Sequence, residues 1–320
     1  MTRTIRTSRR ALVAMATAVF VIAGALLAAT MPSHAETRQE SLPTGELTQV
    51  TDFGDNPGGL EMYAYVPENV DPNPALLVGV HWCTGSAQDF YAGTEYARLA
   101  EQYGYIVLYP SVTRSGKCFD VSSPEALTRD GGSDPVSIKS MIDWIVADYA
   151  VDPERVYVTG VSSGAMMTNV LLGLYPDVFA AGSVFAGVPF GCFATADGSE
   201  WNSECADGEV AHTPQEWGDL VRNAYPGYSG ERPRVQTWHG TLDDTLRYPN
   251  FGEQIKQWTD VHGVSQTPSY GDRPAANWDR TRYGDDGARA PVEAISVEGV
   301  GHNVITSDMA PYVMEFFGLS

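Results

Sequence analysis

A serine between two glycines lies in the pentapeptide Gly-Val-Ser-Ser-Gly at 160–164. An apolar run at 155–159, typical of a buried strand, precedes it, and an apolar stretch of helical pattern follows at 165–174. A sharp strand-to-helix turn exposes a serine hydroxyl at the end of the strand, and it needs glycines because a side chain there would clash. The spacing predicts Ser162 as the nucleophile, with Ser163 as the competing hydroxyl and an ordinary Gly/Ser turn as the alternative.

A nucleophilic serine needs a histidine base and a carboxylate that orients it, and in folds with such a turn these follow as acid and then histidine. A predicted strand at 234–238 leads into a loop that holds Asp243, the predicted acid, and Asp244, its rival. A predicted last strand at 291–297 leads into a glycine-rich loop that ends at His302, the predicted base. An exposed loop histidine is the alternative interpretation of His302.

The remaining histidines have less suitable surroundings. They are His34, His81, His212, His239 and His262. His212 and His262 lie in polar or helical stretches, whereas His81 and His239 end apolar strands. For the latter two we expect structural roles, packing or bonding to loop backbone near the site.

Backbone amides are the second requirement of acyl transfer, because they stabilise the developing oxyanion. In folds of this kind one amide belongs to the residue after the nucleophile and one to the first strand-to-helix loop. The sequence therefore predicts the amide of Ser163 and an amide within 81–86, a loop that contains Cys83.

The four cysteines are an even number, which in an exported chain predicts two disulfides. Three pairings exist. Cys83 with Cys118 and Cys192 with Cys205 close modest loops, each worth roughly 3 to 4 kcal/mol in the chain-entropy model, and we favour this pairing. A zinc site is not expected because the chain has neither Cys-x-x-Cys nor His-x-x-x-His spacing.

Strand and helix patterns alternate along the chain and must position these groups. A helix capped by Ser86 and ended by Gly104 is predicted, and a second begins at Asp134-Pro135. The alternation predicts an α/β fold with a mostly parallel central sheet covered by helices on both faces. Further short apolar runs predict buried strands at 75–80, 105–109 and 181–185.

The first 35 residues have the pattern of a signal peptide, with Arg9-Arg10, an apolar stretch, and small residues before a cleavage point. The arginine pair indicates the twin-arginine type, and an uncleaved membrane anchor is the alternative. We expect residues 36–46 to form a flexible lead-in and residues 47–320 a single catalytic domain. Secretion is therefore predicted, with no membrane association after cleavage.

Net charge excludes one class of partner. The chain of 320 residues has a formal net charge of −20, and the leader carries four arginines and no acid, so the remainder carries about −24. Nucleic acid is not an expected partner, because phosphate binding needs a basic face.

Several longer segments resemble the fungal-type acetyl xylan esterases of carbohydrate esterase family 1. The segments lie at 80–85, 116–123, 158–167, 175–182, 186–193, 201–203 and 225–230. The resemblance implies an α/β-hydrolase fold, an acetylated xylan or xylo-oligosaccharide substrate and no cofactor or metal.

The resemblance also assigns roles to individual residues. It implies Ser162 as nucleophile, Asp243 as acid, His302 as base, and the amides of Cys83 and Ser163 as oxyanion donors. The chain departs from the family at Asp244, where a small neutral residue is more familiar.

Other functions remain open at this stage. Feruloyl esterase and polyhydroxybutyrate depolymerase are the related alternatives, and a non-catalytic carbohydrate-binding protein or a peptidase are the more distant ones. We expect a monomer. Five aromatic residues are candidates for a surface that binds xylose rings: Trp82, Phe119, Phe190, Trp201 and Trp217.

Overall fold

The apolar runs of the sequence form the inner strands of a ten-stranded sheet in the computed structural model, which describes residues 41–320. The predicted signal peptide lies outside the described residues. In chain order the strands are β1 (Leu47–Val50), β2 (Glu61–Tyr65), β3 (Leu76–Val80), β4 (Ile106–Ser111), β5 (Val156–Val161), β6 (Ala181–Phe185), β7 (Arg234–Gly240), β8 (Tyr270–Asp272), β9 (Trp278–Tyr283) and β10 (Val292–Val297).

The strands lie in the order β1-β2-β4-β3-β5-β6-β7-β10-β9-β8. The six from β4 to β10 in this order run parallel, and two antiparallel strands close each edge. The predicted α/β fold with a mostly parallel sheet is confirmed. The sequence did not predict the edge strands, because β2 is partly polar and β8 is a short polar segment with little burial.

Helices cover both faces of this sheet. They are α1 (Ala87–Gly93), α2 (Tyr96–Tyr103), α3 (Asp134–Tyr149), α4 (Ser163–Leu174), α5 (Ser203–Ala206), α6 (Pro214–Ala224), α7 (Pro249–Val261) and α8 (Ala310–Phe317), with a short 3-10 helix at Ser307–Met309. Side chains of β3 alternate between two apolar cores: Leu76 and Val78 pack with α3, α4, α6 and α7, while Leu77 packs with α1, α2 and α8. Both faces of the parallel strands are buried, which explains their continuous apolar sequences.

The helix predicted from Ser86 to Gly104 is two helices, so that prediction was wrong in its continuity. Ser86 caps α1, accepting a hydrogen bond from the Asp89 amide, and Gly104 ends α2 with φ 72°. Between them Thr94 is extended, and its hydroxyl donates to the Phe90 carbonyl at 2.7 Å. A threonine that bonds the preceding turn in this way competes with helix continuation.

Residues 41–320 form one compact unit. The described part of the predicted lead-in belongs to this unit, because the Leu42 amide donates to the Tyr149 hydroxyl at 2.7 Å and Thr44 forms a β-bridge with Val66. Within residues 41–320 no helix is both long enough and apolar enough to cross a membrane.

A buried charged network joins three neighbouring strands, β7, β10 and β9. Glu293 on β10 accepts hydrogen bonds from Arg282 on β9 at 2.5 Å and from Gln236 on β7 at 2.7 Å. Glu293 is 2% exposed and Arg282 7% exposed. A carboxylate removed from water to this extent depends on its partners, because an uncompensated buried charge is costly.

We expect Arg282→Met to lower the free energy of unfolding by about 3 to 5 kcal/mol, because it leaves the Glu293 carboxylate buried without its closest cation. Adding Glu293→Gln to that variant removes the buried charge and recovers much of the loss. Urea unfolding measures both changes. Arg98→Met, which breaks an exposed pair with Glu95, is the control and changes stability by less than about 1 kcal/mol. Equal losses in the single and double variants would contradict this account.

Candidate active site

Ser162 occupies the turn between β5 and α4 with an unusual backbone conformation, φ 56° and ψ −118°. Two glycines make this turn sterically possible. A Cβ on Gly160 would overlap the carbonyl oxygen of Gly164, and a Cβ on Gly164 would overlap that of Val80 on the neighbouring strand β3. Any other residue at either position would push the helix away from the sheet.

Two further loops bring His302 and Asp243 to this turn. β5, β7 and β10 are parallel, so the segments that follow them meet at one edge of the sheet. His302 Nε2 lies 2.8 Å from Ser162 Oγ, and His302 Nδ1 lies 2.8 Å from Asp243 Oδ2. The array can pass a proton from the serine hydroxyl to the imidazole and hold the resulting imidazolium beside a carboxylate.

The Asp243 carboxylate is fully surrounded by donors. Oδ1 accepts the amides of Thr245 and Leu246, each at 2.9 Å. Oδ2 faces His302 and lies 3.3 Å from Nε2 of His239. Burial alone raises the pKa of Asp243, but the bonds and charges of His239 and His302 outweigh it and hold the pKa well below its usual range. Asp243 therefore stays ionised throughout the neutral range.

His239 bonds loop backbone near the site, as expected, and it also approaches the acid, which was not predicted. Its ring is buried and Nε2 also lies 2.7 Å from the Leu246 carbonyl oxygen, so this nitrogen carries the proton. His239 therefore contacts both the Asp243 carboxylate and the backbone of the turn that follows it. The signal available in the sequence was its place four residues before Asp243, at the end of β7.

His81 has a purely structural environment. Nδ1 donates to the Trp82 carbonyl at 2.7 Å, and Nε2 accepts the Val112 amide at 3.1 Å. Burial lowers the pKa of His81 to about 4, so the ring stays neutral and fixes the start of the loop after β3.

The rival residues point away from the array. Ser163 Oγ is buried in α4, and no partner for it exists among the described residues. Asp244 is exposed, and no hydrogen bond or ion pair joins it to His302 in the described part of the chain.

The loop after β3 brings Cys83 to the wall of a cavity that Ser162 and His302 also line. The neighbouring amide of Thr84 is engaged with the Gly116 carbonyl at 2.8 Å, whereas that of Cys83 has no acceptor within residues 41–320. The amide of Ser163 is in the first turn of α4, where a helix leaves N–H groups free. Neither amide has an acceptor within residues 41–320, as the predicted oxyanion role requires.

Two disulfides hold the loops around this site. The structure pairs Cys83 with Cys118 and Cys192 with Cys205, the pairing that loop length favours. The first bridge and the Thr84–Gly116 hydrogen bond tie the loop after β3 to the loop after β4 at two successive points.

A cavity of about 440 Å³ opens over Ser162 and His302, with Trp82 and Trp201 in its wall. Trp201 is 46% exposed and packs edge-to-face on Phe193 with ring centroids 5.1 Å apart. The Cys192–Cys205 bridge closes the excursion that carries Trp201.

The other three aromatic candidates do not line this cavity. Phe119, Phe190 and Trp217 are buried in the core, and the Trp217 indole donates to Glu253 at 2.7 Å. The prediction that these three residues could bind sugar was wrong, because their rings are buried in the apolar interior.

The sheet topology and the Ser–His–Asp array define an α/β-hydrolase, and comparison with known proteins gives its family. The family model described as Esterase PHB depolymerase matches residues 62–201. Acetylxylan esterase A of Emericella nidulans is 47% identical over 272 residues, 83% of this chain and 88% of that protein. Feruloyl esterase B of Talaromyces stipitatus is 48% identical over 285 residues, 87% of this chain and 78% of that protein.

A solved structure agrees with these relatives. The acetyl xylan esterase from Aspergillus awamori superposes with a TM-score of 0.81 at 45% identity, covering 86% of this chain and all of that one. The chain is a carboxylic ester hydrolase. It belongs to carbohydrate esterase family 1, the family of these acetyl xylan and feruloyl esterases.

We expect Ser162→Ala to lower ester turnover about a million-fold, because it removes the hydroxyl that His302 contacts. Steady-state hydrolysis of p-nitrophenyl acetate measures the loss, and circular dichroism checks that the fold persists. Ser163→Ala is the matched control and keeps turnover within about tenfold. The reverse ranking would transfer the role to Ser163.

We expect Asp243→Asn to lower kcat about ten-thousand-fold, because the amide cannot stabilise the imidazolium and favours the wrong tautomer. Asp244→Asn alters the charge of an exposed neighbour and changes kcat by less than about tenfold. The same assay compares the two variants. A larger loss from Asp244→Asn would show that the acid has been misassigned.

Proposed function

We propose that this protein is a secreted acetyl xylan esterase that removes acetyl groups from acetylated xylan or xylo-oligosaccharides. The hydrogen-bonded Ser162–His302–Asp243 array, open to a cavity with exposed indole, is the observation that carries the proposal. The acetyl xylan esterase relatives support the choice of substrate.

Acylation begins when Ser162 Oγ attacks the acetyl carbonyl carbon while His302 Nε2 takes the hydroxyl proton. Negative charge develops on the carbonyl oxygen and is met by the amides of Cys83 and Ser163. Asp243 holds the imidazolium in place. When the tetrahedral intermediate collapses, the sugar oxygen leaves with the proton from His302, and an acetyl group remains on Ser162.

Deacylation repeats these steps with water. His302 takes a proton from a water molecule, which attacks the acetyl-enzyme carbonyl, and the same two amides hold the oxyanion. Acetate leaves and Ser162 regains its proton from His302. The cycle needs only the array, the two amides and water, so it proceeds without a bound cofactor.

Substrate binding follows from the walls of the cavity. The exposed Trp201 ring, fixed by Phe193 beneath it, offers a flat apolar face of the kind on which sugar rings pack. Trp82 lines the same cavity near Cys83. A xylose ring on Trp201 would bring its acetyl oxygen toward Ser162.

Feruloyl ester hydrolysis is the second candidate, because Feruloyl esterase B of Talaromyces stipitatus is as similar as the acetyl xylan esterases. Polyester hydrolysis is third and is supported by the family model at 62–201. The array favours all three over a non-catalytic binding protein, and the relatives favour an esterase over a peptidase.

Export is the remaining part of the proposal. The leader pattern and two disulfides are typical of a protein from an oxidising compartment. We infer that the enzyme acts outside the cell, as a monomer.

The purified enzyme is expected to release acetate from acetylated xylan faster than ferulate from methyl ferulate or hydroxybutyrate from polyhydroxybutyrate. Trp201→Ala removes the sugar-binding face, so kcat/KM on acetylated xylan falls about tenfold more than on p-nitrophenyl acetate. Tyr270→Ala is the control, because Tyr270 is an exposed aromatic residue on edge strand β8. This variant keeps the parent kcat/KM on both substrates. Preferential ferulate release would replace the proposal by its second candidate.

A further inference from the structure

A second cavity lies at the opposite edge of the sheet from Ser162, where β5, β6 and β7 begin and α8 ends. We call it the basal cavity. It has a volume of about 720 Å³. Four arginines line it: Arg155, Arg232, Arg234 and Arg289.

Three of these arginines differ from every other arginine in the described part of the chain. Within residues 41–320, nine arginines have a carboxylate oxygen within 4.0 Å. The nine are Arg98, Arg114, Arg129, Arg155, Arg222, Arg247, Arg273, Arg280 and Arg282. The three described arginines without such a partner are Arg232, Arg234 and Arg289, and all three line the basal cavity. The chain has a net charge of −20 and carboxylates are abundant. The grouping of the three arginines without carboxylate partners in one cavity therefore needs a physical reason.

Each guanidinium is held in place by groups that do not neutralise it. Arg232 lies 5.0 Å from the ring centre of Tyr228, and its Nη1 is buried without an acceptor within residues 41–320. Arg234 donates to the Phe316 carbonyl at 2.6 Å and covers the Phe316 ring. Arg289 is exposed, and its guanidinium packs directly against Gly318.

The electrostatic surroundings are unfavourable for these cations. Burial lowers the pKa of Arg232 and of Arg234, and the charge of Arg289 lowers that of Arg234 further. The cavity also contains carboxylates, namely Asp152, Glu154, Asp177 and Glu231. Asp152 is paired with Arg155 and Asp177 with Arg129, while Glu154 and Glu231 are exposed and lie beyond 4.0 Å from the three cations.

We propose that the basal cavity is a binding site for a small oxyanion of the phosphate or sulfate class. Guanidinium groups present paired N–H donors that match such oxygens, and three of them without a carboxylate partner converge on this cavity. A bound dianion would accept hydrogen bonds from the guanidinium groups that face the cavity and would offset the charges of Arg232, Arg234 and Arg289. The site lies at the edge of the sheet away from the Ser162 cavity, so occupancy stabilises the protein without blocking ester hydrolysis.

Isothermal titration of the purified protein with inorganic phosphate tests the proposal, with sodium chloride at equal ionic strength as the reference. We expect saturable binding with Kd on the order of 1 mM and a rise in the unfolding temperature with phosphate concentration. A parallel titration with glycerol phosphate distinguishes the sources of the anion: equal affinity indicates a phosphate ester of a larger molecule, and phosphate alone indicates the free ion.

Charge-neutral variants locate the site. Arg289→Gln and Arg232→Gln each weaken phosphate binding at least tenfold, whereas Arg98→Gln, which removes an equal charge from an exposed pair, binds as the unaltered protein does. Without phosphate, Arg289→Gln is at least as stable as the parent, because it relieves repulsion. Since Arg289 is exposed, this variant remains decisive even if Arg232→Gln fails to fold.

Hydrolysis of p-nitrophenyl acetate at the parent rate checks that each variant is folded. Heat of binding no larger than that of matched sodium chloride would overturn the proposal. Parent-like affinity in Arg289→Gln would overturn it as well.

Discussion

The close approach of α4 to β3 is the constraint on which the site depends. Because Gly164 has no side chain, the first turn of α4 lies against the carbonyl of Val80, and Ser162 is forced into a backbone conformation with positive φ. A conformation of this kind costs of order 1 to 3 kcal/mol and persists only where the surroundings fix it. Here the same contact places Ser162 next to the loop that begins after Val80 and contains Cys83. Ser162 and Cys83 therefore line the same cavity.

The second constraint is the Asp243 carboxylate, which has more hydrogen-bond partners than the His302 ring that it orients. Two amides and two imidazoles converge on its carboxylate, so it has little freedom to rotate. The His302 ring has two hydrogen-bond partners among the described residues, Asp243 and Ser162, and it lies on a glycine-rich loop at the cavity wall. The group that must receive and return a proton therefore has fewer hydrogen-bond partners than the carboxylate that orients it.

Much of this arrangement was predictable because local patterns encode it. The glycine spacing around Ser162, the continuous apolar strands and the order of acid before histidine are all visible in short windows of sequence. The break at Thr94 was not, since it rests on one side-chain hydrogen bond. The contact of His239 with Asp243 was not predicted although the two are four residues apart, because it depends on the turn after β7. The edge strands were not predicted because their polar segments pair only with a sheet that already exists.

The position of β10 gives the fold a temporal consequence. Ser162 and Asp243 are carried by strands that precede β10 in the chain, whereas His302 follows it, 140 residues after the serine. β10 lies between β7 and β9, and the base reaches its partners only when β10 is seated there. Hydrolytic competence therefore requires the docking of β10, which is synthesised after the strands that carry Ser162 and Asp243. Turnover reports how completely the carboxyl-terminal strands have docked, and a chain caught before that step carries a nucleophile that cannot yet react.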